Sequence, residues 1–269
     1  MTKIGYGKSF VEKNPIKRIG YRLFGEIHIP GRIRLNHVLR EIERLGLPAD
    51  GKVRVLDAGC GRGDFTFYLA EKYPSWHVTG IELDEVKYRD ACTIKERLGL
   101  GNAEIINGDL LKLDRKDEFD LIISSDVLEH IEDDDMVFNN LARALKKGGH
   151  LVLTTPSVPQ RKHLWLVKWR EKKIGFQPSD YGHVRDGYSK EDYYSKLKPL
   201  GFAEIVPTYT FGAFGTLAFD IFFVIGDNRP NPLVFALFFP FLMLLGFLDL
   251  HVKNGSGSGI LVRARKAAG

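Results

Sequence analysis

A glycine-rich turn carries the first chemically informative residues of the chain. Residues 53–56 form a short run rich in β-branched and apolar side chains, typical of a strand buried in a parallel sheet. The run ends at Asp57, and glycines follow at alternate positions, Gly59, Gly61 and Gly63. An apolar-rich segment then reads as the start of a helix. Strand, glycine turn and helix in this order indicate a nucleotide site, because only glycine lets the backbone approach the ligand closely.

The spacing of this turn excludes two common nucleotide sites. A dinucleotide fingerprint needs a third glycine where Asp64 stands, and a P-loop needs a Gly-Lys-Ser/Thr ending that this turn lacks. Asp57 stands where the ligand enters, and its carboxylate suits an ammonium group better than a pyrophosphate, which it would repel. A ligand with a cationic amino acid at one end and an adenosine at the other fits this turn. S-adenosylmethionine is such a ligand.

Five motifs in order resemble the class I S-adenosylmethionine-dependent methyltransferases. They are VLDAGCGRGDF, VTGIELD, INGDLLKLD, FDLIISSDVLEHI and LKKGGHLVLTTPS. The resemblance is close over residues 51–157 and looser up to residue 202. It implies an α/β, Rossmann-like sheet that is mostly parallel, with an antiparallel hairpin at its C-terminal end. It also implies an enzyme that transfers a methyl group from S-adenosylmethionine.

Two acidic residues after the turn are expected to hold the nucleoside. Glu82 ends the predicted second strand, where a carboxylate can accept hydrogen bonds from both ribose hydroxyls. Asp109 can accept from the adenine amine while Leu110 packs on the ring. The alternative is that these acids are solvated at the sheet edge. The cofactor-binding residues that the motifs imply are Asp57, Gly59, Gly61, Gly63, Glu82, Leu83, Asp109, Leu110 and Ser125.

A cluster of acids and a histidine follows the fourth strand. Asp126, Glu129 and His130 fall on one face of a predicted helical turn, and His183 follows 53 residues later. The pattern resembles that of ubiquinone-type polyprenyl-phenol O-methyltransferases and small-RNA 2′-O-methyltransferases, in which these positions hold a divalent cation. Here Asp126 replaces the usual glutamate. The resemblance implies Mg²⁺ as a possible ion, which would lower the pKa of a substrate hydroxyl. The alternative is that the turn is a scaffold feature without a metal.

Without a metal, His130 or His183 is the candidate general base for a substrate hydroxyl. Methyl transfer depends largely on aligning the nucleophile with the sulfonium methyl group. A dedicated base is therefore not required by the chemistry.

The apolar pattern predicts alternating strands and helices around these residues. Strands are predicted at 53–57, 77–82, 104–107, 120–124, 150–155, 203–211 and 259–266. Helices are predicted at 33–45, 64–72, 85–98, 134–146 and 189–200. Residues 1–30 contain several glycines and prolines and predict loops with at most a short helix. Gly148 and Gly149 are expected to end a helix before its strand.

Two apolar segments lie between the last two strands. Residues 211–226 are apolar except for Asp220 and a threonine, and after a polar turn residues 233–248 carry no charge. A compact core has no room for two such helices. A single membrane span is excluded if the flanking strands pair, and Pro240 also argues against a straight span. Membrane contact by a shallow or re-entrant hairpin is predicted, and a homodimer interface or a lid over an apolar substrate is the alternative.

Charge is unevenly distributed along the chain. The net charge is +5, yet residues 51–156 carry 14 Lys+Arg against 20 Asp+Glu. Residues 1–50 and 157–200 each carry 10 basic against 5 acidic residues. These basic segments either face an anionic membrane or substrate or form an ordinary solvated surface. They lack the pattern of basic residues interleaved with aromatic residues that is typical of RNA-binding surfaces, so nucleic acid is not the predicted partner.

The cysteines and the N-terminus predict a cytoplasmic location. Two cysteines give no disulfide framework, and the N-terminus has no apolar run typical of a signal peptide. We expect the protein to be peripheral or monotopic at a membrane.

Three parts are predicted, a basic segment (1–50), a methyltransferase domain (51–210 and 256–269) and an apolar hairpin insertion (211–255). The expected function is O-methylation of a lipid-soluble or lipid-linked acceptor. The alternatives are methylation of a soluble glycan or small molecule, with the insertion as dimer interface, and a non-catalytic scaffold that binds S-adenosylmethionine.

Overall fold

Seven strands of the described chain pair into one sheet. The computed structural model describes residues 4–175, 182–226 and 231–268. The strands are β1 (Arg54–Ala58), β2 (His77–Glu82), β3 (Ala103–Asn107), β4 (Phe119–Ser125), β5 (Leu145–Pro156), β6 (Phe202–Thr210) and β7 (Gly259–Lys266). Their order is β3-β2-β1-β4-β5-β7-β6. Strands β1 to β5 are parallel, and β7 lies antiparallel between β5 and β6. This confirms the predicted Rossmann-like sheet with its antiparallel hairpin.

Helices cover both faces of the sheet and extend beyond it. They are α1 (Pro15–Phe24), α2 (Ile29–Arg44), α3 (Asp64–Lys72), α4 (Glu85–Leu98), α5 (Asp134–Ala144), α6 (Trp165–Ile174), α7 (Lys190–Leu197), α8 (Ala213–Ile225) and α9 (Pro232–His251). Short 3₁₀ helices occur at Tyr6–Phe10, Leu110–Lys112 and Leu128–His130. Helices α3 and α4 have the predicted bounds, and the predicted serine cap of α7 forms a capping box between Ser189 and Asp192.

Alternating side chains of the central strands build two cores. Leu56 and Ile122 belong to the cluster that α5 and α7 cover, and Val55 and Leu121 belong to the cluster that α2, α3 and α4 cover. All four side chains are fully buried. Both faces of the parallel strands are therefore apolar, which explains the continuous hydrophobic runs in the sequence.

The strand order reverses between β1 and β4 at the centre of the sheet, where Asp57 on β1 lies opposite Ile123 on β4. Ligands of open α/β sheets bind at the carboxyl ends of the strands beside such a reversal. The glycine turn after β1 and the acid–histidine turn after β4 therefore lie at one edge of the sheet.

The prediction that Gly148 and Gly149 end the helix before β5 is wrong. Helix α5 ends at Ala144, and β5 begins at Leu145, which pairs with Phe119 on β4. The pairing changes register just after this point, and Gly148 adopts a left-handed φ of 75°. The two glycines therefore lie in an irregular part at the start of β5, where Gly148 adopts the left-handed conformation that this irregularity needs.

Two helices lie where the sequence analysis expects loops or makes no prediction. Helix α1 falls within residues 1–30, and Asn14 caps it by accepting from the backbone N–H groups of Ile16 and Lys17. Pro15 occupies its first position, where the missing N–H costs nothing. The Asn14 cap and Pro15 therefore favour a helix here even though glycines lie nearby. Helix α6 has no strong apolar periodicity to reveal it.

The apolar insertion consists of α8 and α9, which pack on each other and on α2. Asp249 is fully buried near the end of α9 and accepts from the backbone N–H groups of Gly212 (2.8 Å) and Gly215 (3.0 Å). It also accepts from His37 Nε2 on α2 at 2.9 Å. The end of α9 is therefore tied both to the start of α8 and to the body of the protein.

The outer side of α9 is exposed and apolar. Leu233 and Leu237 are 82% and 78% exposed. Within the described ranges, α9 is the one helix long and apolar enough to cross a membrane by length and composition. Strands β6 and β7 pair up to Thr210 and Gly259, so both ends of the insertion leave the sheet at one place. Residues 227–230 of the predicted polar turn (227–232) lie outside the described residues, and membrane contact stays a prediction.

Candidate active site

All three glycines of the turn need their residue type. Gly59, Gly61 and Gly63 have φ values of 80°, 58° and 82°, in the left-handed region that glycine tolerates best. A Cβ at Gly59 would lie 2.4 Å from Val127 Cγ2, whereas a Cβ at Gly61 would meet no atom within 4 Å. The turn therefore packs closely on the β4 side and is open above Gly61. This open backbone cradle fits a nucleoside ligand.

Asp57 links β1 to helix α3. It is buried, and its Oδ2 accepts from Thr66 Oγ1 at 2.7 Å and from the Thr66 backbone N–H at 3.1 Å. Burial raises the pKa of Asp57 to about 7, although the two hydrogen bonds from Thr66 act against the shift. A cation near the turn would favour the ionised carboxylate. Asp57 thus has a structural role, and its contact with the cofactor ammonium stays a prediction.

Glu82 lies at the mouth of the glycine turn. Its carboxylate accepts from the Gly61 N–H at 2.8 Å and from the Asp84 N–H at 2.9 Å. Leu83 beside it is strongly exposed. These contacts place an acceptor next to the open cradle, as the ribose prediction requires. The residues present therefore fit S-adenosylmethionine.

The turn after β3 completes this edge of the sheet. The Gly108 N–H donates to the Glu82 carbonyl oxygen at 3.0 Å, so the two strand ends meet. Asp109 accepts from the Leu111 N–H at 2.9 Å, and Leu110 is buried. Ser125, at the end of β4, lies 3.0 Å from Thr154 Oγ1 on β5. The predicted cofactor residues thus cluster at one edge, and their individual contacts with the cofactor stay predictions.

The acid–histidine turn is a 3₁₀ helix and not the α-helical turn that the spacing suggests. Ligand atoms of Glu129, His130 and His183 all lie within 4.8 Å of one another. Asp126 is outside this group, because its left-handed φ of 53° turns it aside and its carboxylate pairs with Arg34 on α2. The predicted set of four metal ligands therefore divides into a group of three and a separate ion pair.

Glu129 is the most unusual side chain in this group. It is fully buried, and both carboxylate oxygens lack a hydrogen-bond partner among the described residues. Burial, with the nearby Asp126 carboxylate, raises the pKa of Glu129 to about 9. Such a group is either protonated or matched by a cation. The donor set of one carboxylate and two imidazoles fits a divalent cation.

The two histidines stand edge to face, with ring centroids 4.8 Å apart. His130 Nδ1 lies 3.0 Å from the carbonyl oxygen of Gly182, so Nδ1 donates and Nε2 is left to accept. Burial and the neighbouring His130 lower the pKa of His183. Both imidazoles are therefore placed to act as metal ligands or as proton acceptors.

The sequence analysis does not identify Arg34 as a site residue. Its partner Asp126 is 92 positions away, and a basic residue on an amphipathic helix is ordinary. The only signal is its position three residues before His37, which places both on one side of α2.

Comparisons with known proteins agree with this geometry. A family model described as a methyltransferase domain matches residues 49–196, more than half of the chain. An (S)-tetrahydroprotoberberine N-methyltransferase from Eschscholzia californica is 33% identical over 93 residues, 35% of this chain and 26% of that protein. The chain thus spans about a quarter of that relative. A ubiquinone biosynthesis O-methyltransferase from Rickettsia typhi is 24% identical over 183 residues, 68% of this chain and 69% of that protein.

A solved structure shows the same fold. It is a putative sarcosine dimethylglycine methyltransferase from Galdieria sulphuraria, with a TM-score of 0.58 and 17% identity. The alignment covers 95% of this chain and 99% of that one. Together, the family match, the glycine turn and the strand order show that the chain belongs to the class I S-adenosylmethionine-dependent methyltransferases.

Proposed function

We propose that the chain transfers a methyl group from S-adenosylmethionine to an oxygen of a lipid-soluble or lipid-linked acceptor at the cytoplasmic face of a membrane. Helix α2 carries this proposal, because it contacts both the acid–histidine turn and the apolar insertion. Arg34 pairs with Asp126 at the turn, and His37 binds Asp249 of α9 at 2.9 Å. The acceptor side of the site therefore lies next to an exposed apolar surface. Residues 51–210 and 256–269 would form the methyltransferase domain, and residues 211–255 the membrane-facing insertion.

The named activity of the Rickettsia relative supports transfer to oxygen. The exposed face of α9 supports an apolar environment, because burying a Leu or Phe side chain gains about 1.5–3 kcal/mol. Leu237 and Leu244 on this face are 78% and 52% exposed. An acceptor dissolved in a bilayer would reach the site from this side.

The chain's residues divide the chemical work between two turns. S-adenosylmethionine supplies an electrophilic methyl group, so the chain has to bind the donor, align an acceptor and receive one proton. The glycine turn and Glu82 hold the donor. His130 Nε2, whose ring is fixed by the Gly182 carbonyl oxygen, receives the proton of the acceptor hydroxyl. Alternatively, Glu129, His130 and His183 would hold a divalent cation, whose charge would lower the pKa of that hydroxyl.

Incubation of the purified protein with methyl-labelled S-adenosylmethionine and a cell extract tests the proposal. We expect label in the organic phase after partition, and less with a Glu82→Ala variant. Label confined to the aqueous phase would favour a soluble acceptor, with the insertion as a dimer interface. Tight donor binding in calorimetry with no labelled product would favour a non-catalytic scaffold.

A further inference from the structure

Helix α1 presents its apolar side chains to solvent. Ile16, Ile19 and Leu23 are 61%, 59% and 60% exposed, and their spacing of three and four residues places them on one face. None of the residues of α1 is buried. Lys17, Arg18 and Arg22 flank this face. An amphipathic helix of this composition is typical of segments that lie in the plane of a membrane interface.

Helix α6 presents two tryptophans in the same way. Trp165 and Trp169, one turn apart, are 71% and 54% exposed. The Nζ atom of Lys173 lies 5.0 Å from the centroid of the Trp169 ring, and Lys172 is also exposed. Tryptophan combines a large apolar body with one polar N–H group and is enriched at membrane–water interfaces. Helix α6 therefore has the chemistry of an interfacial anchor.

Both helices adjoin the apolar insertion. Phe24, the last residue of α1, contacts Phe239 of α9 with ring centroids 5.3 Å apart. On the other side, Arg170 of α6 donates to the Val224 carbonyl oxygen at 2.5 Å and stacks over the Phe223 ring of α8. The exposed apolar side chains of α1, α6 and α9 thus belong to neighbouring elements.

We propose that α1, α6 and α9 form one docking surface for an anionic lipid bilayer, with α1 lying in the interface and Trp165 and Trp169 at headgroup depth. The proposal rests on the membrane location in the proposed function and assigns it to particular elements. The excess of basic over unpaired acidic side chains on these helices indicates that the partner is anionic. Helix α1 contains no acidic residue, Glu171 of α6 is paired with Lys162, and Asp249 of α9 is buried.

The same charges disfavour a second copy of the chain as the occupant. A two-fold dimer brings the same surface of both subunits together. The basic side chains of α1 and α6 would then face like charges at close range, which costs affinity. Anionic headgroups instead attract each exposed Lys or Arg side chain.

Vesicle binding of the full chain tests the surface. With vesicles of phosphatidylglycerol and phosphatidylcholine, we expect the tryptophan emission to shift to shorter wavelength and brominated lipids to quench it. Trp76 is buried and serves as an internal reference. The Trp165→Phe/Trp169→Phe variant should lose the shift and still sediment with the vesicles. An emission unchanged by vesicles that do bind the protein would overturn the assignment of α6.

A triple variant, Ile16→Ser/Ile19→Ser/Leu23→Ser, tests α1. It should weaken vesicle binding at least about tenfold, because three apolar side chains no longer enter the interface. The matched control Val86→Ser/Met136→Ser/Val206→Ser changes three exposed apolar side chains elsewhere and should bind normally. Equal binding of the two triple variants would overturn the assignment of α1. If the unchanged chain does not bind vesicles and forms a dimer that the α1 variant loses, a second copy of the chain covers the surface.

These results separate the docking surface from the proposed function. In detergent-dispersed lipid extract the α1 variant should label the organic phase as the unchanged chain does, because detergent replaces docking. If α1 and α6 mediate vesicle binding and label appears only in the aqueous phase, the proposal of a lipid acceptor fails and the docking surface stands. If label appears in the organic phase in detergent but the chain binds no vesicles, the proposal of a docking surface fails and the lipid acceptor stands.

Discussion

Glu82 joins the two halves of the donor site, because its carboxylate contacts the glycine turn and its carbonyl oxygen contacts the turn after β3. Burial drives the carboxyl groups of Asp57 and Glu129 towards the neutral form. In the proposed function, Glu82 holds the ligand, Asp57 holds the fold, and Glu129 receives a cation or a proton. Each role can be measured separately, by donor affinity, by stability against pH or by the effect of a chelator on the rate.

Replacing Glu82 by alanine should weaken binding of S-adenosylmethionine by about 1–3 kcal/mol, the cost of losing a charge-assisted hydrogen bond. Isothermal titration calorimetry measures this loss. Glu85→Ala is the control, since among the described residues this exposed carboxylate forms its ion pair with Arg89 on α4. Binding of NAD with no binding of S-adenosylmethionine would contradict the donor assignment.

The raised pKa of Asp57 predicts how stability depends on pH. Between the unfolded pKa of about 4 and the folded pKa of about 7, the folded chain holds a proton that the unfolded chain has lost. The contribution of Asp57 to the free energy of unfolding therefore falls as pH rises through this window, by about 1.4 kcal/mol per unit, and levels off above pH 7. Urea unfolding of the unchanged chain and of Asp57→Asn at several pH values should show the variant gaining relative stability. A relative loss with rising pH would contradict burial as the cause.

If Glu129, His130 and His183 hold a cation, a chelator should abolish methyl transfer, and magnesium or manganese should restore it. His183→Ala should have the same effect as the chelator, because it removes one of the three ligands. The measurement is the initial rate with labelled donor, and donor affinity in chelator is the control. Full activity in excess chelator would leave His130 or His183 as the proton acceptor.

At the scale of elements, helix α2 connects parts of the chain that are distant in sequence. It packs on the sheet, pairs with the acid–histidine turn through Arg34 and binds the insertion through His37 and Arg40. The described parts of residues 211–255 make polar contacts with α2 and α6 and apolar contacts with α1 and α2, while β6 and β7 pair up to the two ends of the segment. This arrangement suggests an insertion that can be removed.

Replacing residues 212–253 by a short Gly-Ser turn should weaken sedimentation with anionic liposomes at least about tenfold, because α9 is removed while α1 and α6 remain, and should leave binding of S-adenosylmethionine intact. The glycine turn, Glu82 and Asp109 lie outside the deleted segment, and β6 and β7 still pair beside the new turn. Calorimetry with the donor verifies that the shortened chain is folded. A shortened chain that pellets as well as the intact chain, or an intact dimer that the deletion converts to a monomer, would contradict membrane contact by the insertion.

The elements differ in how well sequence alone predicts them. Strand β2 and the helices α3 and α4 follow from local apolar runs and caps, so their bounds agree with the prediction. Gly148 and Gly149 mislead because a glycine pair suits a helix end and a strand irregularity equally. The Arg34–Asp126 pair depends on how α2 crosses the sheet, which no local pattern records. The glycine turn was predictable because its function restricts the residue types themselves.

At the scale of the whole molecule, an acidic core domain is combined with basic and apolar elements that border the insertion. If the chain binds a membrane as proposed, two forces act on that binding, attraction of Lys and Arg to anionic headgroups and burial of apolar side chains. Salt screens the first force and hardly affects the second.

Sedimentation with anionic liposomes should therefore weaken only partly when salt rises from about 0.1 M to about 1 M. Neutral liposomes provide the comparison, since binding to them should be weaker and should change little with salt. Complete release at high salt would show that the apolar side chains of α9 do not enter the bilayer.

Strand β7 lies between β5 and β6, although it is the last of the seven strands to be synthesised. Until its residues leave the ribosome, β5 has an open edge and β6 has no partner among the strands of this sheet. Both apolar helices emerge earlier than β7, at a stage when the sheet is incomplete. The β6–β7 pairing that brings the two ends of the insertion together therefore forms last. Under the proposed function, a nearby membrane would cover these helices until then and so act first as a folding aid.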